Sequence, residues 1–489
     1  MARNYSYGDS HSANYLPVIK ADCMRYAIAF RSLLPQPALV GLINLAPLLL
    51  TATAPVVHSY AAALVDYLLA MERTDVSGQP VIKKEEITQP QLLIERLLAA
   101  LVHPDSTDNV YLMRALMRVC CSLQELTLPC MNALVTTLLS RLTQVVKNPT
   151  KPNFNHYLFE TICLCIRNTC AADPSSVGLF EAALFPIFQD ILQNDVSDFV
   201  PYVFQLISVL LERYPFSETV FDSCKSPQMA TAPRPSVSSR PSPPYCALLP
   251  RLLVPSLWEQ RGNVPVLCRL MQSYALHDME NVLTTNKLSA MLGVYQRLVG
   301  STSHDVQAFA LLGALIVSAP KQALEPFLQQ TATLRTQWRQ TSLGLIRLVG
   351  EADAIVAPDA LYHDSWAPLV GQVVAGISTG PGRNSGDVAA IEAAIRAVGE
   401  PDIVRDEERF QEVDTDMSSQ TSCQLTYGIQ PHPQLWPDYS DPRIFLAKTL
   451  SHVTGVYPNV LSTALNTTLD SQVAVCLQDY LNRSGMTLH

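Results

Sequence analysis

The sequence predicts an all-α protein, a superhelical solenoid built from paired helices. Three observations predict it: apolar residues recur at helical spacing, the helical segments follow one another in pairs, and the pairs repeat at a regular distance. Hydrophobic residues make up 48% of the 489 residues and only 19 are Gly, a composition that disfavours both disorder and a turn-rich all-β fold. The 35 Pro residues fall mostly between apolar runs, where Pro starts or stops helices.

The first four helix pairs are predicted within residues 1–213. From the second pair to the fourth, successive second helices open 44 and then 43 residues apart. This spacing is typical of HEAT-type repeats, whose two-helix unit spans roughly 40–47 residues. The second helices are apolar on more than one face, so neighbouring pairs must cover them. The predicted pairs are 37–52 with 54–70, 88–103 with 108–122, 130–146 with 153–170, and 176–193 with 195–213.

The rest of the chain continues this pattern with interruptions. Residues 214–246 are rich in Pro and Ser, and we predict a disordered insert within the solenoid. Further HEAT-type pairs are predicted over 247–400, with a loop from Gly376 to Gly386, and residues 401–442 are predicted to form an acidic and then Pro-rich loop. Terminal helices are predicted within 443–489. The helices predicted in this part are 246–258 with 263–277, 284–299 with 304–318, and finally 443–456 and 468–483.

One uncharged stretch, residues 32–65, resembles a membrane span in composition. Four Pro residues, Pro47 among them, interrupt it together with Asn44 and His58, and no cluster of Lys or Arg flanks it. We therefore predict two buried helices joined at Ala54-Pro55, and no membrane insertion.

The charge balance and the motifs argue against several classes of function. The net charge is −9, which gives no support to nucleic acid as the main partner. Two pairs of cysteines, Cys120-Cys121 and Cys163-x-Cys165, lie close in sequence, but neither has the spacing of a zinc or redox site, so we expect a reducing compartment. Phosphate-binding loops, nucleophile elbows and metalloprotease motifs are absent from the sequence. We expect neither an enzyme nor a bound cofactor or metal.

Acidic residues cluster at 402–416 and offer the one candidate site for binding a partner. A solvated loop would have the same composition. The sharper hypothesis is contact with a basic surface, because clustered carboxylates steer association. The candidate partner-binding residues are Asp406, Glu407, Glu408, Glu412, Asp414 and Asp416.

Several long and unusual strings carry more information than the repeat period. They are NYSYGDSHSANYLPVIKADC at 4–23, VHSYAA at 57–62, KNPTKPNFNHY at 147–157, ILQNDV and FVPYVFQ within 191–205, and LWE with GNVP within 257–265. In these strings the chain resembles the CAS family, exportins of the karyopherin-beta type. The resemblance covers nearly the whole chain and is strongest over 3–213 and 246–300.

The resemblance implies a nuclear export receptor that binds importin-alpha together with Ran in its GTP form and returns importin-alpha to the cytoplasm. It also implies transient contact with nuclear pore proteins and shuttling between nucleus and cytoplasm. The alternative is a generic HEAT-repeat scaffold subunit of another protein complex, which the period alone would support.

The departures from the family pattern yield further expectations. The family protein is about twice as long, so the chain resembles its carboxy-terminal portion, as a fragment or an incomplete gene model. We expect two helix pairs of the family pattern to be missing near 335–341, and the insert at 214–246 is not typical of the family. Without an upstream neighbour, an apolar face near residues 15–34 is expected to be exposed.

Overall fold

The protein was analysed as a computed structural model. It describes residues 13–73, 79–214, 241–259, 262–299, 304–324, 346, 350, 356, 366–379, 424–428 and 442–488. These residues form two compact units by their contacts. The first contains 13–213 and 424–428, and the second contains the remaining described residues. Within the described ranges the ordered elements are helices, apart from one isolated bridge between Glu72 and Pro80, so the all-α prediction is confirmed.

The first unit contains nine α-helices among its described residues. They are α1 Pro17–Ala29, α2 Gln36–Leu49, α3 Pro55–Leu69, α4 Pro90–Val102, α5 Val110–Leu123, α6 Met131–Val145, α7 Pro152–Ala172, α8 Val177–Gln193 and α9 Val200–Leu211. Helices α2 to α9 form the four predicted pairs, each with a first and a second member.

The second helices α3, α5, α7 and α9 pack one on the next, and α1 packs against α3. Every residue of α9 is buried, as a helix sandwiched between neighbours requires. First helices bury one stripe: α6 buries Met131, Leu134, Leu138 and Leu142, at the spacing of one helix face. The sandwiched second helices predicted from the sequence are therefore confirmed.

Pro residues set most of the helix starts in this unit. Pro occupies the first turn of α2, α3, α4, α7 and α9, where its missing N–H costs no hydrogen bond. Pro47 lies inside the last turn of α2, within the predicted helix 37–52. One detail of the prediction is wrong. The fourth second helix begins at Val200, because Asp195 adopts a left-handed φ of 48° and the chain turns until Phe199.

Asparagine side chains connect successive repeats. The Oδ1 atom of Asn14 accepts a hydrogen bond from the N–H of Thr53 at 2.8 Å, and Asn44 accepts one from the N–H of Thr88 at the same distance. Asn44 also donates through Nδ2 to the carbonyl of Glu86 at 3.0 Å. These bonds satisfy loop amides that the helices leave unpaired.

Residues 32–65 form the two helices α2 and α3, as predicted. At the start of α3, the Nδ1 atom of His58 lies 2.9 Å from the carbonyl of Ala52, and its Nε2 atom lies 2.5 Å from Oγ of Ser106. His58 is buried and therefore packs inside the unit. Among the described residues, one stretch, Pro174–Gln193, is long and apolar enough to cross a membrane by length and composition alone.

The second unit contains ten described α-helices. They are α10 Pro243–Leu252, α11 Asn263–His277, α12 Met279–Thr284, α13 Leu288–Val299, α14 Asp305–Ser318, α15 Lys321–Leu324, α16 Trp366–Thr379, α17 Pro442–Val456, α18 Val460–Thr468 and α19 Ser471–Ser484. Helix α11 packs against α14, which repeats the stacking of second helices. Trp366 of α16 and Leu446 of α17 are completely buried in the core that these helices share with α18 and α19.

Two predictions for this unit need correction. The loop expected from Gly376 begins later, since α16 continues to Thr379. Residues 442–488 form three helices rather than two, because an additional helix, α18 at Val460–Thr468, lies between the predicted ones. It follows Asn459, which has a left-handed backbone. The skipped pairs expected near 335–341 lie outside the described residues.

Candidate functional site

A buried ionic cluster connects two consecutive second helices of the first unit. Asp66 of α3 lies 2.8 Å from Nε of Arg114 and accepts a hydrogen bond from Nε of Arg118 at 3.1 Å, both in α5. All three side chains are at most 7% exposed. Arg114 and Arg118 lie four residues apart, so the helix places both guanidinium groups on one face. One carboxylate therefore partners two buried cations across the repeat joint.

Aromatic rings surround these cations. The guanidinium of Arg114 lies 5.9 Å from the ring centroid of Tyr67 and 5.7 Å from that of Tyr157. The guanidinium of Arg31 lies 5.0 Å from the centroid of the same Tyr67 ring. Burial raises the pKa of the Tyr67 phenol to about 12, against the opposing effect of Arg114. The Tyr67 and Tyr157 rings are themselves partly exposed, so they lie between the buried Arg114 cation and the solvent-exposed side of the helices.

The chain also binds one of its own distant segments: residues 424–428 contact helices α7 and α9. Gln205 of α9 accepts a hydrogen bond through Oε1 from the N–H of Leu425 at 2.7 Å. The carboxylate of Glu160 in α7 accepts from the N–H groups of Thr426 and Tyr427, the latter at 3.1 Å.

A carbonyl group of the segment is also hydrogen-bonded by the helices. Arg167 donates through Nη1 to the carbonyl of Tyr427 at 2.7 Å. Glu160 thus accepts hydrogen bonds from the segment, and Arg167, seven residues later on α7, donates one to it. The segment is held by main-chain groups of three consecutive residues, 425–427.

Two side chains of the segment complete the contact. Leu425 is completely buried. The phenol of Tyr427 lies near Arg118 and forms a hydrogen bond with the thiol of Cys121. Burial raises the pKa of this phenol above its ordinary value. The segment therefore reaches from α9 across α7 to α5, beside the ionic cluster.

The carboxyl group of Glu160 is only 1% exposed. Burial raises its pKa to about 7, while the N–H donors of Tyr427 and Thr426 and the charge of Arg167 oppose the rise. His156, one turn earlier on α7, places Nε2 at 3.8 Å from the same carboxylate. A buried acid with bound amide donors is a position where protonation and segment binding are linked.

An exposed apolar stripe runs along α1 and the turn after it, as the sequence predicts for residues 15–34. Its members lie at helical spacing and the rings of Tyr26 and Phe30 are 4.5 Å apart. The exposed residues are Tyr15, Leu16, Val18, Ile19, Tyr26, Phe30 and Leu33. Large apolar side chains exposed side by side are a feature of contact surfaces.

The predicted acidic site falls outside the described residues. The residues of this predicted site are Asp406, Glu407, Glu408, Glu412, Asp414 and Asp416. Among the described residues, there is no group of three or more His, Cys, Asp or Glu placed to hold a metal ion.

Sequence reasoning missed the buried polar residues. Arg114 and Arg118 stand inside a run predicted to be apolar on several faces, and Glu160 stands inside another. A charge at a position that the helical period assigns to the interior is a usable signal, because such charges need buried partners.

The comparisons with known proteins agree with one another. The family model described as "CAS/CSE protein, C-terminus" matches residues 66–227 and 234–344, and the Cse1 model matches residues 9–65. Exportin-2 of Danio rerio is 33% identical over 527 aligned positions, which cover 98% of this chain and 52% of that protein. Exportin-2 of Homo sapiens is 32% identical, with the same coverage. The chain spans about half the length of these curated relatives.

A solved structure has a similar fold. The exportin Cse1 in its cargo-free, cytoplasmic state superposes with a TM-score of 0.61 and 21% identity. The superposition covers 95% of this chain and 49% of that structure. The HEAT-repeat architecture predicted from the sequence is therefore confirmed.

Proposed function

This chain belongs to the CAS/CSE family, and we propose from that membership that it works in nuclear export, as part of a receptor that binds importin-alpha cooperatively with Ran in its GTP form. The receptor would return importin-alpha to the cytoplasm and would shuttle through the nuclear pore, with transient contacts to pore proteins. The relatives named exportin-2, aligned over 98% of the chain, are the observation that carries this proposal.

The architecture of the first unit fits such a role. Stacked second helices present a continuous face, and small rotations between repeats add up over many helices. Arginine and tyrosine side chains on that face, such as Arg31 and Tyr67, are residue types enriched in protein interfaces. Release of cargo when Ran leaves would require positive coupling between the two binding sites. Covalent chemistry by this chain has no part in the proposal.

The acidic segment 402–416 is the proposed contact for a basic partner surface. Six carboxylates, from Asp406 to Asp416, would attract such a surface at long range and accept hydrogen bonds from Lys or Arg on contact.

The main experiment is a capture assay with the full chain on immobilised importin-alpha. We expect importin-alpha to retain the chain, and Ran bound to GTP to increase the retained amount more than Ran bound to GDP. The increase should be modest, since the chain spans about half of its relatives' length. Equal retention with both nucleotides would instead favour a generic HEAT-repeat scaffold, and absence of retention would contradict the proposal.

A further inference from the structure

The contacts that hold residues 424–428 recognise the peptide main chain. Gln205 and Glu160 accept three consecutive N–H groups, and Arg167 donates to the carbonyl that follows them. Every peptide carries these groups. The side chains of Thr426 and Tyr427 add contacts of their own, the first with the Glu160 carboxylate and the second with the Cys121 thiol.

All four residues of the turn contribute to selectivity. Leu425 is completely buried, whereas the side chains of Thr426 and Tyr427 stay partly exposed. A Cβ atom at Gly428 would lie 2.9 Å from the Cβ of Leu425, closer than such atoms approach. The turn consequently needs a residue without a side chain at its end, and the bound pattern is Leu-Thr-Tyr-Gly.

We propose that the surface formed by Glu160, Arg167 and Gln205 is a binding site for a Leu-Thr-Tyr-Gly peptide turn. Residues 424–428 occupy this site as an internal ligand, and another turn of the same pattern can displace them. The inference does not depend on the proposed export function.

The balance of interactions makes displacement feasible. The occupant contributes main-chain hydrogen bonds, each of small net value, and one buried Leu side chain. It is also joined to the receptor helices through more than 200 intervening residues, as the separation of Gln205 from Leu425 shows. On the receptor side, the buried Glu160 carboxylate loses its amide donors when the site empties, so the site favours being occupied.

The test uses the full chain and a fluorescein-labelled peptide with the sequence of residues 424–430, QLTYGIQ. In the Leu425→Asp chain, the internal segment should leave, because a carboxylate cannot enter the buried position. We expect this variant to bind the peptide saturably in fluorescence anisotropy. The unsubstituted chain should bind it at least tenfold more weakly, since its own segment competes.

Three controls make the result specific. Leu179→Asp changes an exposed Leu of α8 in the same way and should leave peptide binding as weak as in the unsubstituted chain. Adding Arg167→Met to Leu425→Asp should weaken binding at least tenfold. A peptide with Asp in place of its Leu should not bind.

A second route opens the site without a buried charge. Gly428→Val should displace the segment through its clash with Leu425 and should restore peptide binding to the level of Leu425→Asp. This variant decides the matter if Leu425→Asp proves poorly folded by circular dichroism. Equal binding by the unsubstituted and opened chains, binding of the Asp peptide, or no binding by either opened variant would each overturn the proposal.

Discussion

Asp66 in α3 accepts a hydrogen bond from Nε of Arg118 in α5 at 3.1 Å, across the joint between two consecutive repeats. Its other carboxylate oxygen lies 2.8 Å from Nε of Arg114. Two buried cations therefore depend on one buried anion. A cluster of this kind fixes the register of the two helices, because sliding either helix would leave a charge unpaired in the interior.

Replacing Asp66 with Asn should strongly destabilise the first unit. Removing one partner of a buried ion pair costs about 3–5 kcal/mol, and here two arginines lose their partner. We expect the first urea transition, followed by circular dichroism, to move to a clearly lower concentration. Asp105→Asn, an exposed carboxylate of the same unit, is the matched control and should leave the midpoint nearly unchanged. Equal effects of the two substitutions would contradict a structural role for the cluster.

Glu160 predicts a pH dependence of stability. Its pKa is raised to about 7 in the folded protein, so between about pH 4.5 and 7 the folded chain binds a proton that the unfolded chain does not. Stability should therefore fall as pH rises through this window, by about 3 kcal/mol from this group at 1.36 kcal/mol per pKa unit. His156, Arg167 and Tyr427 face the same carboxylate and are unchanged in Glu160→Gln.

The measurement compares the free energy of unfolding of the unsubstituted chain and of Glu160→Gln at pH 5 and pH 8. We expect the unsubstituted chain to lose more stability than the variant on going to pH 8, by about 3 kcal/mol. Glu95→Gln, at an exposed position of α4, should follow the unsubstituted chain. If the difference in free energy of unfolding between the unsubstituted chain and Glu160→Gln is the same at pH 5 and pH 8, the raised pKa of Glu160 is wrong.

Asn44→Ala should loosen the connection between the first two repeats. The side chain serves the N–H of Thr88 and the carbonyl of Glu86, so its removal leaves two loop groups without these partners. A loss of about 1–2 kcal/mol is expected, the usual effect of removing partners from polar groups that are partly buried. Hydrogen exchange should show faster exchange at the Thr88 amide. Asn148→Ala, in an exposed turn, serves as the control and should not change that amide.

The apolar stripe on α1 should make the chain associate with itself. Val18 and Ile19 are each more than half exposed, and several large side chains flank them. Size-exclusion chromatography with light scattering should give a mass that rises with concentration. Val18→Lys with Ile19→Lys should reduce this rise, whereas a double change to Lys at the exposed Gln193 and Ser197 should not. A constant monomer mass in the unsubstituted chain would count against the prediction.

Local sequence features predicted the helices of the first unit well. Pro55 and Pro152 mark helix starts through restrictions on their own backbone, and these act within one turn. The delayed start at Val200 was missed, because the left-handed turn at Asp195 involves a residue type that tolerates several conformations.

The candidate site was harder to predict for a physical reason. Arg114 and Glu160 stand out as charges within apolar runs, but their partners lie on other helices. The docking of Leu425 against Gln205 joins residues 220 positions apart, and a repeat period carries no information about such a contact. A single sequence shows that buried charges need partners, whereas the structure identifies them.

The acidic segment gives the last prediction, which tests its proposed contact with a basic partner. Changing the six carboxylates from Asp406 to Asp416 to their amides should slow association with importin-alpha about tenfold at low salt, because long-range attraction is lost. The difference should shrink near 0.5 M salt, where the screening length is only a few ångströms. Stopped-flow fluorescence measures both rates. The control neutralises six exposed carboxylates elsewhere in the first unit, namely Glu85, Asp105, Asp108, Asp190, Asp195 and Asp198. Both variants carry the same net charge, so equal slowing would show that overall charge, and not the segment, attracts the partner. Slowing confined to the first variant would place the contact at 402–416.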